Sequence, residues 1–189
     1  MCYDKYRNME KGDSSGMFCI GDKVVYPVHG AGVVEAIEQK EVLGELKEYY
    51  VLRLFDGDMR VMVPVDGVPG VGLRSVSDDA ILQRVREILQ CVEEEERVAW
   101  NKRYRLHMDK IKSGDIFLVA EVVRNLTLRD MEKGLAAGER KMLDQARKIL
   151  VSEFMVAKDM DEAEARDLIN DCFVKESGKD RGSENQGEA

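Results

Sequence analysis

The chain has few of the residues that build metal centres, disulfide frameworks or membrane spans. Its 189 residues contain 2 histidines and 4 cysteines, and no cysteines are spaced as a CxxC pair. This argues against a zinc site and against a disulfide framework, so we expect reduced thiols. No apolar run is long enough to cross a bilayer, and residues 1–16 lack an apolar signal-peptide core. We therefore expect a cytoplasmic protein without a membrane partner.

Recognisable catalytic and phosphate-binding motifs are also missing. Gly30-Ala31-Gly32 has neither the lysine of a Walker motif nor the GxGxxG spacing, and it joins predicted strands. No Ser/His/Asp or Cys/His arrangement is legible, so no nucleophilic or acid–base site is indicated. We predict a protein that is not an enzyme and that uses no metal, cofactor or small-molecule substrate.

Positive charge is scarce overall but concentrated in one region. The formal net charge is −8, yet residues 98–141 carry 10 Lys/Arg against 6 Asp/Glu. That region is therefore +4, and the remainder of the chain is −12. A local basic region can bind nucleic acid even in an acidic protein, because the distribution of charge matters more than its sum.

The first half is predicted to form short β-strands, separated by turn residues every eight to twelve positions. The strands are Lys23–Tyr26, Val33–Ile37, Glu48–Leu54 and Met59–Val63. Pro27 ends the first strand, Gly30-Ala31-Gly32 is expected to let the backbone bend sharply, and Asp56-Gly57 suits a tight hairpin turn. Many short strands with such turns indicate a small barrel of the SH3 or Tudor type.

From Ser77 onward the apolar residues follow a helical period. Ser77, Asp78 and Asp79 suit an N-cap and first turn, and Asp115 suits a second cap. We predict five helices: one from Ser77, one over about 97–112, one from Asp115 to near Gly134, one after Gly138, and one over about 161–173.

Together these patterns predict an α+β protein with a small Tudor/SH3-like β barrel followed by an all-α helical domain. The Gly/Pro-rich stretch in the middle is predicted to be a hinge, and both ends are expected to be disordered. The expected boundaries are 1–16 for an extension, 17–68 for the barrel, 69–76 for the hinge, 77–173 for the helices and 174–189 for an acidic tail.

Trp100, the one tryptophan, has two interpretations. It precedes Lys102, Arg103 and Arg105, so it could stack on bases while these cations bind phosphates. On a helix, however, it also aligns with Tyr104 at i+4 as part of a core stripe. Periodicity alone favours the core, because tryptophan is highly buried on average.

A second candidate is the turn that leads into the fourth predicted helix. Arg140 and Lys141 fall in the first turn of that helix, where cations oppose the helix dipole. An anion such as phosphate bound there would resolve this conflict. The other interpretation is a solvated basic face.

Both halves resemble the CarD/CdnL family of bacterial RNA polymerase-binding proteins. The first motif alone also fits the related β module of transcription-repair coupling factors, whereas both halves together fit the stand-alone family. The resemblance spans about residues 17–173 and is carried by residues 18–32, 47–52, 61–64, 100–104, 113–115, 120–126 and 134–143.

The resemblance implies a Tudor-like domain that docks on the RNA polymerase β subunit by strand pairing. The implied polymerase contacts are Lys40, Val42 and Met62. Some relatives carry arginine at positions 40 and 62, and Met62 lacks the planar guanidinium that a bidentate pair needs.

The resemblance also implies a helical domain that holds promoter DNA from the minor-groove side without reading its sequence. Trp100 matches the family's wedge at the upstream edge of the bubble, and Arg105 and Arg140 match basic contact positions. Lys102, Arg103 and Lys141 are added on charge alone. The alternative is an adaptor that binds only proteins through its barrel, with Trp100 in the core.

The family resemblance begins at Met17-Phe18, sixteen residues after Met1. The codons for Glu10–Asp13 can resemble a ribosome-binding sequence. We therefore expect Met17 to be the native start and residues 1–16 to come from a misplaced start codon.

Overall fold

The structure is a computed structural model that describes residues 18–55, 57, 59–91 and 99–174. The predicted N-terminal extension, the tail beyond Val174 and the acidic run at 93–96 lie outside the described residues. The expectations for these segments, including the start at Met17, stay predictions.

The first half is an antiparallel sheet of five strands. They are β1 (Lys23–Tyr26), β2 (Gly30–Val42), β3 (Glu45–Leu54), β4 (Arg60–Pro64) and β5 (Arg74–Ser75), in the order β4-β3-β2-β1-β5. Alternate residues face a core that includes Val24, Val34, Leu52 and Val63. A register shift between Val34 and Ala36 marks an irregularity in β2, and such bulges bend a strand. A turn of 3-10 helix (Val65–Gly67) links β4 to the helices.

The second half is helical, which confirms the α+β class. The helices are α1 (Val68–Val71), α2 (Asp79–Gln90), α3 (Trp100–Lys112), α4 (Ile116–Lys133), α5 (Ala137–Lys158) and α6 (Glu162–Val174). Asp115 caps α4 as predicted, because its Oδ1 accepts a hydrogen bond from Phe117 N at 2.8 Å. The core centres on α4, which contacts α2, α3 and α5 and buries the stripe Val119, Val122, Val123 and Leu126.

Two local predictions are corrected. The chain reverses at residues 27–29, where His29 N donates to Tyr26 O at 3.1 Å, while Gly30-Ala31-Gly32 lies inside β2. The cap of α2 is Asp78, whose Oδ1 accepts from Ile81 N at 2.8 Å. Ser77 is instead bound to α5, so it is unavailable as a cap.

Residues 69–76, the predicted hinge, contain most of α1 and all of β5. β5 pairs with β1 through Val24–Ser75 and Val25–Arg74, so these residues belong structurally to the sheet. The domain boundaries themselves stay a prediction.

Helix α5 packs directly against the sheet. Ser152 Oγ accepts a hydrogen bond from Ala31 N at 2.8 Å, and Lys23 Nζ donates to Val156 O at 2.8 Å. The approach is close enough to require Gly30, because a Cβ at that position would lie 2.4 Å from Ser152 Oγ. The two halves are therefore joined by hydrogen bonds between side chains and the main chain, at a close approach that a side chain at residue 30 would disturb.

A buried carboxylate completes this junction. Glu153 on α5 has no exposed surface, and its oxygens accept from Arg74 Nη1 and Nη2 at 2.6 and 2.8 Å. They also accept from Ser77 N at 3.1 Å and from Ser77 Oγ at 2.5 Å. Arg74 Nε additionally donates to Gly114 O at 3.1 Å, between α3 and α4. A single acidic side chain thus joins α5, β5 and the start of α2.

We predict that Gly30→Ala destabilises the protein far more than Gly44→Ala. Both glycines have positive φ, +88° and +83°, but nothing lies within 4 Å of a Cβ at residue 44. Gly44→Ala should therefore cost only the left-handed strain of about 1–2 kcal/mol, and Gly30→Ala about 1–3 kcal/mol more from overpacking against α5. Urea unfolding of both variants measures this difference. Equal losses would show that the approach of α5 to β2 is not tight.

Candidate nucleic-acid interface and docking surface

Trp100 lies at the first residue of α3 with its side chain partly in solvent. It is 47% exposed, and its ring centroid is 5.6 Å from that of Tyr104. Both rings border the start of α5, since a Cβ on Gly138 would lie 3.7 Å from Trp100 Cζ2 and 3.6 Å from Tyr104 Cε2. The helical stripe predicted from spacing does contain Ile111, which is fully buried, but it begins with a residue at the surface.

Arg103 turns inward and has a structural role. It is 5% exposed, and its Nε and Nη2 donate to Glu139 Oε1 at 2.9 and 2.6 Å. Arg129 Nε on α4 lies 3.6 Å from the same oxygen. The charge of Arg103 is therefore used to hold α3 against α5, and we remove Arg103 from the predicted DNA contacts.

The start of α5 already carries its own anion. Glu139 is 3% exposed and its Oε2 accepts from Ala136 N at 3.3 Å. A carboxylate in the first turn complements the helix dipole. The first turn of α5 therefore contains a buried acid beside Arg140 and Lys141, so these two cations do not by themselves indicate a bound phosphate at this helix end.

The other four predicted DNA contacts remain at the surface. Lys102, Arg105, Arg140 and Lys141 are all exposed. Across the described ranges, none of the four has an ion-pair partner. They lie on the first two turns of α3 and α5, which the Arg103–Glu139 pair holds together. The start of α3, which carries Trp100, and the neighbouring start of α5 therefore both bear cations without ion-pair partners, with Lys102 and Arg105 about 160° and 140° around α3 from Trp100.

Arg129 is a residue that the sequence did not single out. Its side chain is 27% exposed beside Glu139, so it neutralises that carboxylate and still reaches the surface. The only sequence signal was its place among the ten cations of the basic region.

The predicted polymerase contacts lie together on the sheet. Lys40 on β2 reaches across to β4, where its Nζ is 3.0 Å from Met62 Sδ, and it lies 3.7 Å from Glu38 Oε2. Val42 is 40% exposed near the end of β2. β4 is an outer strand of the sheet, so its outer main-chain groups offer an edge for strand addition.

Other kinds of site find no support in the described ranges. No three His, Cys, Asp or Glu side chains are grouped to hold a metal ion. Of the described cysteines, Cys19 and Cys91 are exposed and Cys172 is buried. None of the helices in the part of the chain that is described has the length and apolar character needed to cross a membrane.

The geometry defines a class of protein with two surfaces: a sheet with an open edge, and a helical part that presents an exposed aromatic ring and several cations without ion-pair partners. Family models match both parts, "CarD-like/TRCF RID domain" at residues 18–77 and "CarD, C-terminal domain" at 84–170. The chain therefore belongs to the CarD-like family of transcription factors, and its first domain is of a type that interacts with RNA polymerase.

One relative supports this assignment, and two solved structures are similar to part of the chain. A candidate transcription factor of Bacillus subtilis (strain 168), YdeB, is 44% identical over 150 residues, which cover 79% of this chain and 98% of YdeB. Among solved structures, the N-terminal part of CdnL from Myxococcus xanthus is 44% identical and covers 35% of this chain and 93% of its own, with a TM-score of 0.29. The N-terminal domain of CarD from Myxococcus xanthus is 37% identical, covers 35% and 89%, and has a TM-score of 0.29.

We predict that Arg103→Met destabilises the protein by about 3 kcal/mol, because it leaves the Glu139 carboxylate buried without its main partner. The matched control is Lys102→Ala, one residue earlier and exposed, which should change stability by less than about 0.5 kcal/mol. Urea unfolding measures both. An Arg103→Met protein as stable as the parent, but with weaker DNA binding, would return Arg103 to the contact set.

Proposed function

We propose that the protein docks on the β subunit of RNA polymerase through its sheet and binds promoter DNA through its helical part. In this proposal the DNA is held without sequence specificity, and Trp100 wedges the upstream edge of the transcription bubble from the minor-groove side. The result is a longer-lived open complex. This activity would place the protein in the cytoplasm.

The observation that carries the proposal is the exposed ring of Trp100 at the start of α3, next to the start of α5, in a part of the chain that bears cations without ion-pair partners. A core tryptophan would be nearly fully buried, whereas this one has 47% of its surface in solvent. The Tyr104 ring packs beside it, with the ring centroids 5.6 Å apart and the ring planes tilted by 32°. An exposed, laterally supported ring is suited to stacking on an unpaired base.

The wedge acts by favouring one state of the DNA over another. An aromatic ring stacks on the exposed base at the junction between duplex and melted DNA, and no such exposed face exists in closed duplex. A ligand that binds the open state more tightly shifts the equilibrium by that difference in affinity. Where open complexes are already stable, the same effect would slow promoter escape, so the direction of regulation depends on the promoter.

Docking on polymerase makes a weak DNA grip sufficient. Lys102, Arg105, Arg140 and Lys141 bring only a few charges, and the chain as a whole is −8. Once the sheet is bound to polymerase, however, the helical part meets the promoter at a high effective concentration. The Glu153 network fixes the helices to the sheet, so that docking also sets the direction in which Trp100 points.

The adaptor alternative requires Trp100 to serve the core and the cations to be inert. The exposed ring and the unpaired state of Lys102, Arg105, Arg140 and Lys141 favour a DNA contact instead.

We predict that Trp100→Ala shortens the open-complex lifetime about five- to a hundredfold, because base–aromatic stacking contributes about 1–3 kcal/mol. Stability should fall by less than the about 3–5 kcal/mol typical of a core tryptophan. Leu106→Ala is the matched control, since Leu106 is 45% exposed on another face of α3. The lifetime is measured with purified polymerase and a heparin challenge. If both substitutions shorten the open-complex lifetime equally, the proposed role of Trp100 as a wedge is wrong.

We predict that binding to duplex DNA weakens with salt, with a log–log slope of about −3 to −4 for four phosphate contacts. Arg140→Gln should make the slope less negative by about one. Lys47→Gln removes an exposed cation from the sheet and should leave the slope unchanged. Titration of a labelled duplex at several salt concentrations measures all three proteins. A slope near zero would contradict phosphate contacts.

A further inference from the structure

The ends of β2 and β3 project beyond the rest of the sheet as a two-stranded ribbon, residues 39–48, called here the distal ribbon. β1 pairs with β2 only over Gly30–Val33, and β4 pairs with β3 only over Tyr49–Arg53. β2 and β3 continue to pair with each other as far as Val42 and Glu45. In the described ranges no third strand borders the distal ribbon.

The distal ribbon is poorly stabilised by its own contacts. Isolated two-stranded hairpins are marginally stable in water. Lys40 lies directly opposite Lys47, and like charges in that position are unfavourable. The flanking pairs Lys40–Glu38 and Lys47–Glu45 are about half exposed or more and add little. Its projection into solvent is therefore not explained by stability.

The turn at the end of the distal ribbon carries an unusual residue. Leu43 and Gly44 form a two-residue loop between Val42 and Glu45, and both have positive φ, 56° and 83°. Such loops prefer Asn-Gly, because a side chain with a Cβ is strained in this region and asparagine tolerates it best. Leu43 is nevertheless there, with its side chain fully in solvent at 101% exposure.

Two further apolar side chains surround Leu43. Val42 is 40% exposed and Leu46 is 74% exposed. Because side chains alternate along a strand and opposite residues share a face, Val42 lies on one face of the distal ribbon and Leu46 on the other. The apolar surface therefore wraps around the end of the ribbon, which suits insertion into a pocket and not contact with a flat surface.

We propose that Val42, Leu43 and Leu46 insert end-on into an apolar pocket of the RNA polymerase β subunit. This rests on the proposed function and extends the docking surface from Lys40, Val42 and Met62 to two new residues, Leu43 and Leu46. The argument for this partner is continuity: Val42 shares a face with Lys40, and Lys40 Nζ contacts Met62 Sδ at 3.0 Å. A strained and fully exposed apolar residue has the form of an interface anchor, in which a few side chains desolvated on binding dominate the affinity.

The decisive variant is Leu43→Asn in the full chain. Asparagine suits the turn, so the thermal unfolding midpoint should be unchanged or raised. Affinity for purified polymerase core enzyme, measured by biolayer interferometry, should nevertheless fall about tenfold. Leu46→Thr, which keeps strand propensity, should weaken binding similarly. Met131→Gln, on an exposed apolar residue of α4, is the matched control and should bind like the parent.

The outcomes separate this proposal from the proposed function. If the parent binds and Lys40→Glu weakens binding while Leu43→Asn does not, docking stands and the anchor is wrong. If the parent does not bind polymerase, both proposals fail. If sedimentation velocity shows a dimer of the parent that Leu43→Asn dissociates, without an effect on polymerase binding, the occupant is a second copy of the chain and the polymerase pocket is refuted.

Discussion

The carboxylate of Glu153 is removed completely from solvent, and the relation between the two halves of the molecule depends on it. Burying a charge is costly unless every lone pair finds a donor. Here Arg74 and Ser77 supply those donors from β5 and from the residue before the cap of α2. Because β5 pairs with β1 and Ser77 precedes a helix, the network fixes the sheet to the helical core at the point where a flexible linker would otherwise lie.

A second buried acid on the same helix explains how an acidic protein can present a basic surface. Glu139 takes up the charge of Arg103 and part of that of Arg129. These internal pairs hold α3, α4 and α5 together, and the neighbouring cations are then left without partners at the surface. The net charge is therefore a poor guide to this chain's partners. Part of the negative charge that balances the basic region is buried in ion pairs and does not reach the surface.

Local sequence patterns predict most of the helices and strands. They carry no information about side-chain partners that lie far apart in the sequence. Asp115, Gly134 and the apolar stripe of α4 mark that helix because caps and periodicity act over a few residues. The part of β2 beyond Ile37 is not predicted as strand, because the distal ribbon is exposed on both faces and lacks the alternation of a buried strand. Charge alone puts Arg103 among the predicted DNA contacts, and no local pattern reveals its buried partner Glu139, which lies 36 positions away. Trp100 could be placed only by the family resemblance, since its spacing fits core and surface alike.

The rotation of helix α5 between its two buried acids has a further consequence. Glu139 and Glu153 are 14 residues apart, which is about 21 Å along the axis and about 40° short of a whole number of turns. Glu139 orients α3, the helix that carries Trp100, and Glu153 orients the sheet. Inserting or deleting one residue between them would rotate these ends by about 100° relative to each other while shifting them by only about 1.5 Å. The length of α5 is thus a constraint on angle more than on distance, and substitutions along it should be tolerated where insertions are not.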